Sequence, residues 1–281
     1  MGRIIGGIGT SHAPSIAQAY DRGKQKDPLW APLFDGYAPA KEWLDGHKPD
    51  LLIILYNDHM NRFFFDAYPT FAVGVGDVHP QADEGWGKRD LLDVPGDAGF
   101  AWHLARSLVA DEFDPTICQE MTIDHGILSI LPLLCAMPWT TPIVPIAVNV
   151  IQHPLPTAKR LHKLGRALRR AVESYEPDFK VVVLGTGGLS HQLHGARFGL
   201  VDPEWDNQFL DMIESDPAPL AELSHRDYME RGGAESVEMI MWLGMRGALD
   251  DKVRRVHRNY HAPLITGYGL LALENSDAAG R

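Results

Sequence analysis

Three apolar stretches of this 281-residue chain share one pattern, because each gives way to small or polar residues that are soon followed by a histidine. The stretches are RIIGGIGTSH, LLIILYNDH and VVVLGTGGLSH, and their histidines are His12, His59 and His191. Short apolar runs rich in β-branched residues predict strands that are buried on both faces. Parallel strands of an α/β sheet end at a common edge, where ligands bind. The pattern therefore predicts that the three histidines lie along one edge of a sheet.

Other short apolar runs predict further strands, and the longer segments between them have helical spacing of apolar residues. Strands are predicted in FAVGVG and TPIVPIAVNV. Helices are predicted over 37–45, 97–110, 157–174 and 235–249, and DHGILSILPLLCAM predicts a helix interrupted near Pro132. Because strands and helices alternate, we expect an α/β fold with a central, mainly parallel or mixed sheet and helices on both faces. No linker or repeat divides the chain, so one domain is expected over residues 1–281.

Charge and composition exclude several classes of function. The formal net charge is −11, which argues against sequence-independent nucleic-acid binding. No stretch of 18 apolar residues predicts a membrane span, and the N-terminus lacks the apolar region of a secretory signal, so a cytoplasmic protein is expected. The two cysteines fit neither a zinc pattern nor a disulfide framework. The helix predicted over 157–174 has a basic face, which we interpret as a solvated outer face rather than a membrane or nucleic-acid contact.

A metal site is one interpretation of the histidines. A lone histidine after a strand is more often a loop residue, but three in equivalent positions favour a shared role. A fourth candidate is His125 in MTIDHGIL, where Asp124 is expected to cap the following helix. Glu235 and Glu238 stand three residues apart on one predicted helix face, so either carboxylate is a candidate ligand. Both also suit a helix N-terminus through its dipole, and their spacing alone does not decide between the two roles.

Two histidines and one carboxylate on one face of a metal ion are typical of non-haem Fe(II) oxygenases. A histidine that is not a ligand is then available as general acid or base near neutral pH. Other motifs do not support a different chemistry: HExxH is absent, and GTGGLSHQLHG lacks the ending of a phosphate-binding loop. We expect its glycines to let the backbone turn tightly beside a site.

Six motifs occur in a recognisable order along the chain: GTSHAP, YNDH, DEGWG, DHG, GTGGLSHQL and GAESVEMIMWLGMRGAL. Together they resemble the LigB-type, or type III, extradiol ring-cleavage dioxygenases, and in particular the catalytic β subunits of the protocatechuate 4,5-dioxygenase group. The resemblance extends from Ile4 to about Leu273. It implies a dioxygenase that opens the ring of a catechol with O₂.

The resemblance also implies a role for each candidate residue. His12, His59 and Glu238 match the ligands of Fe(II), the implied cofactor, and the match selects Glu238 over Glu235. His191 matches the catalytic acid or base. His125 matches a second active-site histidine that contacts the substrate or assists proton transfer.

The substrate and the partners are less sharply implied. Family members carry a serine after the Tyr-His-x-Pro step that helps to hold the substrate carboxylate, and Ile265 or Thr266 takes its place here. Thr266 has the hydroxyl and is the expected substrate-binding residue. The expected substrate is a carboxylated catechol such as protocatechuate, with gallate and methylgallate as alternatives.

Three further expectations accompany this assignment. Because the chain ends at Arg281, soon after the last shared segment, no fused lid is expected. A separate small helical α subunit, in an α₂β₂ assembly, or a homodimer is expected instead. Two other classes stay open: a zinc-dependent hydrolase that uses the same ligands, and a protein that keeps the fold without catalysis.

Overall fold

The computed structural model describes residues 1–276, so the last five residues of the expected domain, 277–281, lie outside the described part. Ten strands are formed within it. They are β1 (Gly2–Thr10), β2 (Leu51–Tyr56), β3 (Phe71–Gly74), β4 (Val78–His79), β5 (Val94–Pro95), β6 (Thr116–Cys118), β7 (Ile143–Val148), β8 (Phe179–Thr186), β9 (Val253–His261) and β10 (Tyr268–Asn275).

Helices connect most of these strands. They are α1 (Pro14–Asp21), α2 (Ala31–His47), α3 (Ala98–Ala110), α4 (His125–Leu128), α5 (Leu131–Leu134), α6 (Ala158–Glu173), α7 (Pro203–Ser215), α8 (Ala218–Glu222), α9 (His225–Gly232) and α10 (Ile240–Gly247). Two short 3₁₀ helices are formed by Lys24–Lys26 and Ala234–Met239. Within residues 1–276, no helix has both the length and the apolar character needed to cross a bilayer.

A mixed eight-stranded sheet forms the centre of the molecule, in the order β6-β3-β7-β2-β8-β1-β10-β9. The four central strands β7, β2, β8 and β1 are parallel. Antiparallel pairs join β3 to β7, β1 to β10 and β10 to β9. The strands β4 and β5 form a separate small sheet. The expected α/β fold with a mixed sheet is confirmed.

Helices cover both faces of this sheet, as the continuous apolar strands predict. Every residue of β2 is buried, and its side chains point alternately to the two faces. Leu51, Ile53 and Leu55 belong to the core with α3, α6 and α10, whereas Leu52 and Ile54 belong to the core with α2, α4 and α5. The sheet therefore separates two hydrophobic cores.

Two of the predicted helices agree closely with the structure. The helix predicted over 97–110 is α3, and Asp97 caps it by accepting a hydrogen bond from the Phe100 amide at 2.9 Å. The helix predicted over 157–174 is α6, capped by Thr157. The DHGILSILPLLCAM segment is interrupted as predicted, because α4 ends at Leu128 and α5 begins at Leu131.

Two other helix predictions were wrong in part. The helix expected over 37–45 is longer, since α2 runs from Ala31 to His47 with Pro39 inside it. The apolar side chains of α2 pack onto the sheet, and this packing overrides the helix-breaking tendency of the proline. The helix expected from Glu235 to Leu249 begins as the 3₁₀ helix Ala234–Met239, which continues directly into α10.

The edge of the sheet that carries the site is set by three adjacent strands. β2, β8 and β1 are neighbours and run in the same direction. His12, His59 and His191 follow the carboxyl ends of β1, β2 and β8. The sheet topology therefore gathers the three histidines at one edge, which confirms the prediction made from the sequence.

Candidate active site

A cavity of about 770 Å³ opens at the carboxyl edge of β1, β2 and β8. All the site residues predicted from the sequence line it: His12, His59, His125, His191, Glu238 and Thr266. The imidazole ring centroids of His12 and His59 are 5.1 Å apart, and those of His59 and His125 are 3.8 Å apart. Positions that span most of the sequence are therefore brought to one place.

His12 follows β1 by two residues and is buried. Its Nδ1 lies 2.9 Å from the Thr186 hydroxyl at the end of β8. Its Nε2 is buried and has no hydrogen-bond partner within residues 1–276. Burial, together with the nearby charge of His59, holds the pKa of His12 well below its ordinary value. A neutral imidazole with an unpaired buried nitrogen is suited to bind a metal ion.

His59 is oriented by a buried carboxylate. The Asp124 Oδ2 lies 3.0 Å from His59 Nδ1 and 2.7 Å from the His59 backbone nitrogen. Burial alone would lower the pKa of His59, but the charge of Asp124 and its hydrogen bond raise it to about 9. Burial likewise opposes ionisation of Asp124, yet the charge of His59 and their hydrogen bond hold the pKa of Asp124 well below its usual range.

Asp124 therefore has two roles. The sequence predicted only a helix cap, and the structure shows that cap as a 2.9 Å hydrogen bond from the Gly126 amide to Oδ1. The other carboxylate oxygen holds His59. A carboxylate on the outer nitrogen of a histidine fixes the ring and directs its inner nitrogen, the arrangement found behind many histidine ligands of metal ions.

The two candidate glutamates point to different places. Glu238 Oε2 lies 3.7 Å from His12 Nε2, and its Oε1 lies 3.9 Å from His59 Nε2. The Gly188 amide donates to Glu238 Oε2 at 2.8 Å. Glu235 instead pairs with His194 Nδ1 at 2.8 Å and does not join this group. The geometry therefore brings Glu238, and not Glu235, to the two histidines.

The donor atoms fit a divalent metal ion. His12 and His59 each present an Nε2 to the same region as the Glu238 carboxylate, which is the two-histidine, one-carboxylate set. A second set is also present, because ring nitrogens of His12, His59 and His125 all lie within 4.8 Å of one another. The two sets share both histidines and differ in the third donor.

His191 has one nitrogen fixed and the other directed at the cavity. Its Nδ1 donates to the Leu189 carbonyl at 2.8 Å, so a neutral ring leaves Nε2 without a proton. That Nε2 lies 4.0 Å from Glu238 Oε2. A Cβ on Gly188 would lie 2.6 Å from the His191 ring, and Gly187 has a φ of +138°. The glycines allow the tight turn beside the site that the sequence predicted.

A buried carboxylate supports the loop that carries His191. Asp206, in the first turn of α7, accepts hydrogen bonds from the Ser190 amide at 2.7 Å and from the Ser190 hydroxyl at 2.6 Å. Tyr260 donates to the same carboxylate at 2.8 Å. Burial raises the pKa of Asp206, and these hydrogen bonds oppose the rise. These hydrogen bonds hold the backbone at Ser190, the residue before His191.

Hydroxyl groups line another part of the cavity. Thr266 is buried and forms an isolated antiparallel bridge with His191, whereas Ile265 is 37% exposed. The Ser15 and Tyr268 hydroxyls are 2.7 Å apart. Within residues 1–276, no lysine or arginine lines the cavity. The neutral polar groups available to a ligand there are hydroxyls, imidazoles and the Asn57 amide.

Sequence reasoning missed Asn57. Its Nδ2 lies 3.0 Å from His59 Nε2 and 3.4 Å from Glu238 Oε1, so it touches two of the expected ligands. Asn57 is part of the YNDH motif, which singled out only the histidine. A buried polar residue between the end of a strand and a candidate ligand was the signal available.

Fold and site together define a class: an α/β protein with side chains suited to hold a metal ion at the carboxyl edge of its central parallel strands. The comparison with protein families is more specific. Residues 6–271 match the family described as the catalytic LigB subunit of aromatic ring-opening dioxygenase. The chain belongs to this LigB family. The resemblance to this family, which is described as one of aromatic ring-opening dioxygenases, is confirmed.

Individual relatives support the family assignment. A gallate dioxygenase of Pseudomonas putida is 48% identical over 200 residues, which cover 70% of this chain and 59% of that protein. This chain thus spans less than two thirds of that relative's length. A 2,3-dihydroxyphenylpropionate/2,3-dihydroxicinnamic acid 1,2-dioxygenase of Pseudomonas putida is 27% identical over 289 residues, covering 84% of this chain and 88% of the relative.

A solved structure shows the same fold. The crystal structure of an uncharacterized protein from Escherichia coli K12 superposes with a TM-score of 0.60 and covers 97% of this chain and 100% of its own. The two sequences are 15% identical. At that identity the likeness extends to the fold alone.

Proposed function

We propose that this chain is a single catalytic domain that opens the ring of a carboxylated catechol with O₂, by extradiol cleavage that depends on Fe(II). The observation that carries the proposal is the convergence of three donor groups. His12 Nε2 and His59 Nε2 lie 3.7 Å and 3.9 Å from the carboxylate oxygens of Glu238. Family membership supplies the reaction class.

His12, His59 and Glu238 would hold the metal ion. When bound there, ferrous iron supplies a Lewis acid for a diol and a centre for redox chemistry with O₂. The chain positions the ligands from outside through Thr186 at 2.9 Å from His12 and Asp124 at 3.0 Å from His59. Such partners fix the ring orientation before the metal arrives.

His191 would accept a proton from a substrate hydroxyl. Its Nδ1 hydrogen is donated to the Leu189 carbonyl, which leaves Nε2 as an acceptor that faces the cavity. His125 lines the same cavity and would contact the second side of the substrate. Side chains of both residues are 8% exposed, so proton transfer would take place away from bulk water.

Thr266 would bind the substrate carboxylate through its hydroxyl. The support is its buried position in the cavity beside His191, where Ile265 has no hydrogen-bonding group to offer. Protocatechuate fits this description. Gallate or methylgallate is the second candidate, favoured by the 48% identity to a protein named gallate dioxygenase.

A covering partner would complete the cavity. Leu193, Leu264 and Ile265 line it and are 49%, 45% and 37% exposed, which gives the opening an apolar rim. Exposed apolar rims are typical of surfaces that bind another protein or a ligand. A separate small α subunit or a second copy of this chain would cover it.

The test is oxygen uptake by chain reconstituted without air. Parallel samples receive Fe(II) or Zn(II), and each is offered protocatechuate, gallate and methylgallate. We expect the Fe(II) sample, but not the Zn(II) sample, to consume oxygen and form a yellow ring-opened product. The substrate that is turned over fastest decides between protocatechuate, gallate and methylgallate. If the Fe(II) sample consumed no oxygen with protocatechuate, with gallate or with methylgallate, the proposed reaction would be contradicted. Zn(II)-dependent turnover without oxygen uptake would support a hydrolase instead.

A further inference from the structure

The DEGWG motif, residues 83–87, has a recognisable sequence but no role in the site described above. It lies in the segment between β4 and β5. Just before it, the Ala82 amide donates to the Ile123 carbonyl at 2.8 Å, and Gln81 forms a bridge with Ile123. These contacts place the motif beside Asp124 and His125, which follow directly in the chain.

The loop is built to hold one conformation. Asp83 Oδ1 accepts hydrogen bonds from the amides of Gly85 and Gly87, both at 3.0 Å. Gly85 and Gly87 have φ angles of +94° and +87°, a region that other residues rarely adopt. Asp83 and the two glycines therefore fix the backbone on both sides of Glu84.

Glu84 uses both carboxylate oxygens on a single residue. Its Oε1 accepts the His125 backbone amide at 3.0 Å, and its Oε2 pairs with His125 Nδ1. The Glu84 side chain is only 10% exposed. His125 Nε2 has no hydrogen-bond partner within residues 1–276, and the residue lines the cavity. A carboxylate can only accept, so this contact requires a proton on Nδ1.

We infer that Glu84 is a positioning residue that keeps the proton of His125 on Nδ1 and presents Nε2 to the cavity as an acceptor. The functional part of this inference rests on the proposed function, in which His125 contacts the substrate. An acceptor at Nε2 can take a hydrogen bond from a catechol hydroxyl. The opposite tautomer would direct an N–H at that hydroxyl, which would then have to accept the hydrogen bond instead of donating it. The DEGWG loop thus determines which tautomer of His125 contacts the substrate.

The substitution Glu84→Gln tests this with little change of shape. An amide offers one acceptor and one donor where the carboxylate offers two acceptors. The His125 backbone N–H is always a donor, so it requires the side-chain oxygen of the new glutamine as its acceptor. The amide NH₂ then faces Nδ1, which must become an acceptor, and the proton moves to Nε2. Glu120→Gln is the matched control, because Glu120 lies close to His125 in the chain and is exposed.

The direct measurement is side-chain nitrogen NMR on metal-free full-length chain labelled with ¹⁵N-histidine. His125 is assigned by the signal that His125→Gln removes. We expect the Nδ1–H tautomer in the wild type and in Glu120→Gln, and the Nε2–H tautomer in Glu84→Gln. A hydrogen on Nε2 of the wild type, in a neutral or a charged ring, would overturn the inference, as would an unchanged tautomer in Glu84→Gln. This measurement needs no activity, so it stands apart from failure of the proposed reaction.

Turnover supplies the functional measurement. We expect Glu84→Gln to keep its iron and its melting temperature but to lose about 10²-fold in kcat, the lower end of effects from a misplaced acid or base. Glu84→Asp retains two acceptor oxygens and should recover part of that loss. Equal losses in Glu84→Gln and Glu84→Asp, with an unchanged tautomer, would reduce Glu84 to a structural contact.

Discussion

Two concave regions of this protein are rich in nitrogen-bearing side chains, but their chemistry differs. The active-site cavity is lined by six histidines, of which His12, His59, His125 and His191 are the candidate site residues. The other region, which we call the arginine basin, has a volume of about 650 Å³ and lies where α6 meets α10. Its basic residues are His162, Arg166, Arg169, Arg170 and Arg246. Only the first region has the features of a reactive site.

The difference lies in how the charges are paired. In the arginine basin, Arg169 lies 2.7 Å from Glu173 and 2.6 Å from Asp250, and Arg170 lies 2.9 Å from Asp111. In the cavity, buried carboxylates hold the outer nitrogens of His59 and His125. The inner nitrogens are left to face one space. Potential ligand atoms that converge on one space, rather than a high density of charge, therefore mark the site.

The largest expected effect is from His12→Ala. The substitution removes a proposed ligand whose buried Nε2 has no hydrogen-bond partner within residues 1–276, so the variant should lose its iron and its activity together. Metal analysis of protein reconstituted with Fe(II), with oxygen uptake on the same sample, checks this. A variant with full iron occupancy would place the metal elsewhere and would remove the contrast between the two regions.

His191→Ala should separate proton transfer from metal binding. Its Nε2 faces the cavity but is not an expected ligand, so iron should remain. Turnover should fall by about 10²–10⁴-fold, the usual size of a general acid or base effect. Steady-state kinetics on iron-replete protein measures it. Near-normal turnover would exclude His191 from the reaction.

Thr266→Val should have a smaller effect that depends on the substrate. Loss of one hydroxyl contact to a carboxylate should raise KM for protocatechuate about tenfold, equivalent to about 1.4 kcal/mol. Catechol itself has no carboxylate and should be affected little. An equal rise in KM for protocatechuate and for catechol would indicate that Thr266 shapes the cavity without binding the carboxylate.

The smallest expected effect is from Arg169→Gln in the arginine basin. Its ion pairs are partly exposed, and such pairs contribute about 0–1 kcal/mol. Activity should be unchanged, and the free energy of unfolding should fall by less than about 1 kcal/mol. Chemical denaturation and oxygen uptake measure the two quantities. A large loss of activity would show that the arginine basin communicates with the site.

The sequence was most informative where a local pattern determines structure. The run LLIILY predicted β2 because continuous burial demands continuous apolar residues, and Asp97 predicted the start of α3 because a cap acts within one turn. The edge location of His12, His59 and His191 followed from the same reasoning. The solvated face of α6 was also anticipated from its charge pattern.

Contacts between distant segments were less accessible to sequence reasoning. The sequence predicts the cap formed by Asp124 because that contact is two residues away, whereas the contact of Asp124 with His59 spans 65 residues. The choice between Glu235 and Glu238 depended on a resemblance, since three-residue spacing puts both on one helix face. The 3₁₀ turn found there also keeps residues three apart on one side, so the two carboxylates differ only in their long-range contacts: Glu235 pairs with His194, and Glu238 lies beside His12.

The central claim is that Glu238 completes the metal site with His12 and His59. The rival third donor is His125, whose ring nitrogen also lies within 4.8 Å of theirs. The most direct test is the iron content of Glu238→Ala and His125→Ala after anaerobic reconstitution, with Glu235→Ala as control. We predict one iron per chain in His125→Ala and Glu235→Ala and almost none in Glu238→Ala. Full iron in Glu238→Ala, with loss from His125→Ala, would contradict the account.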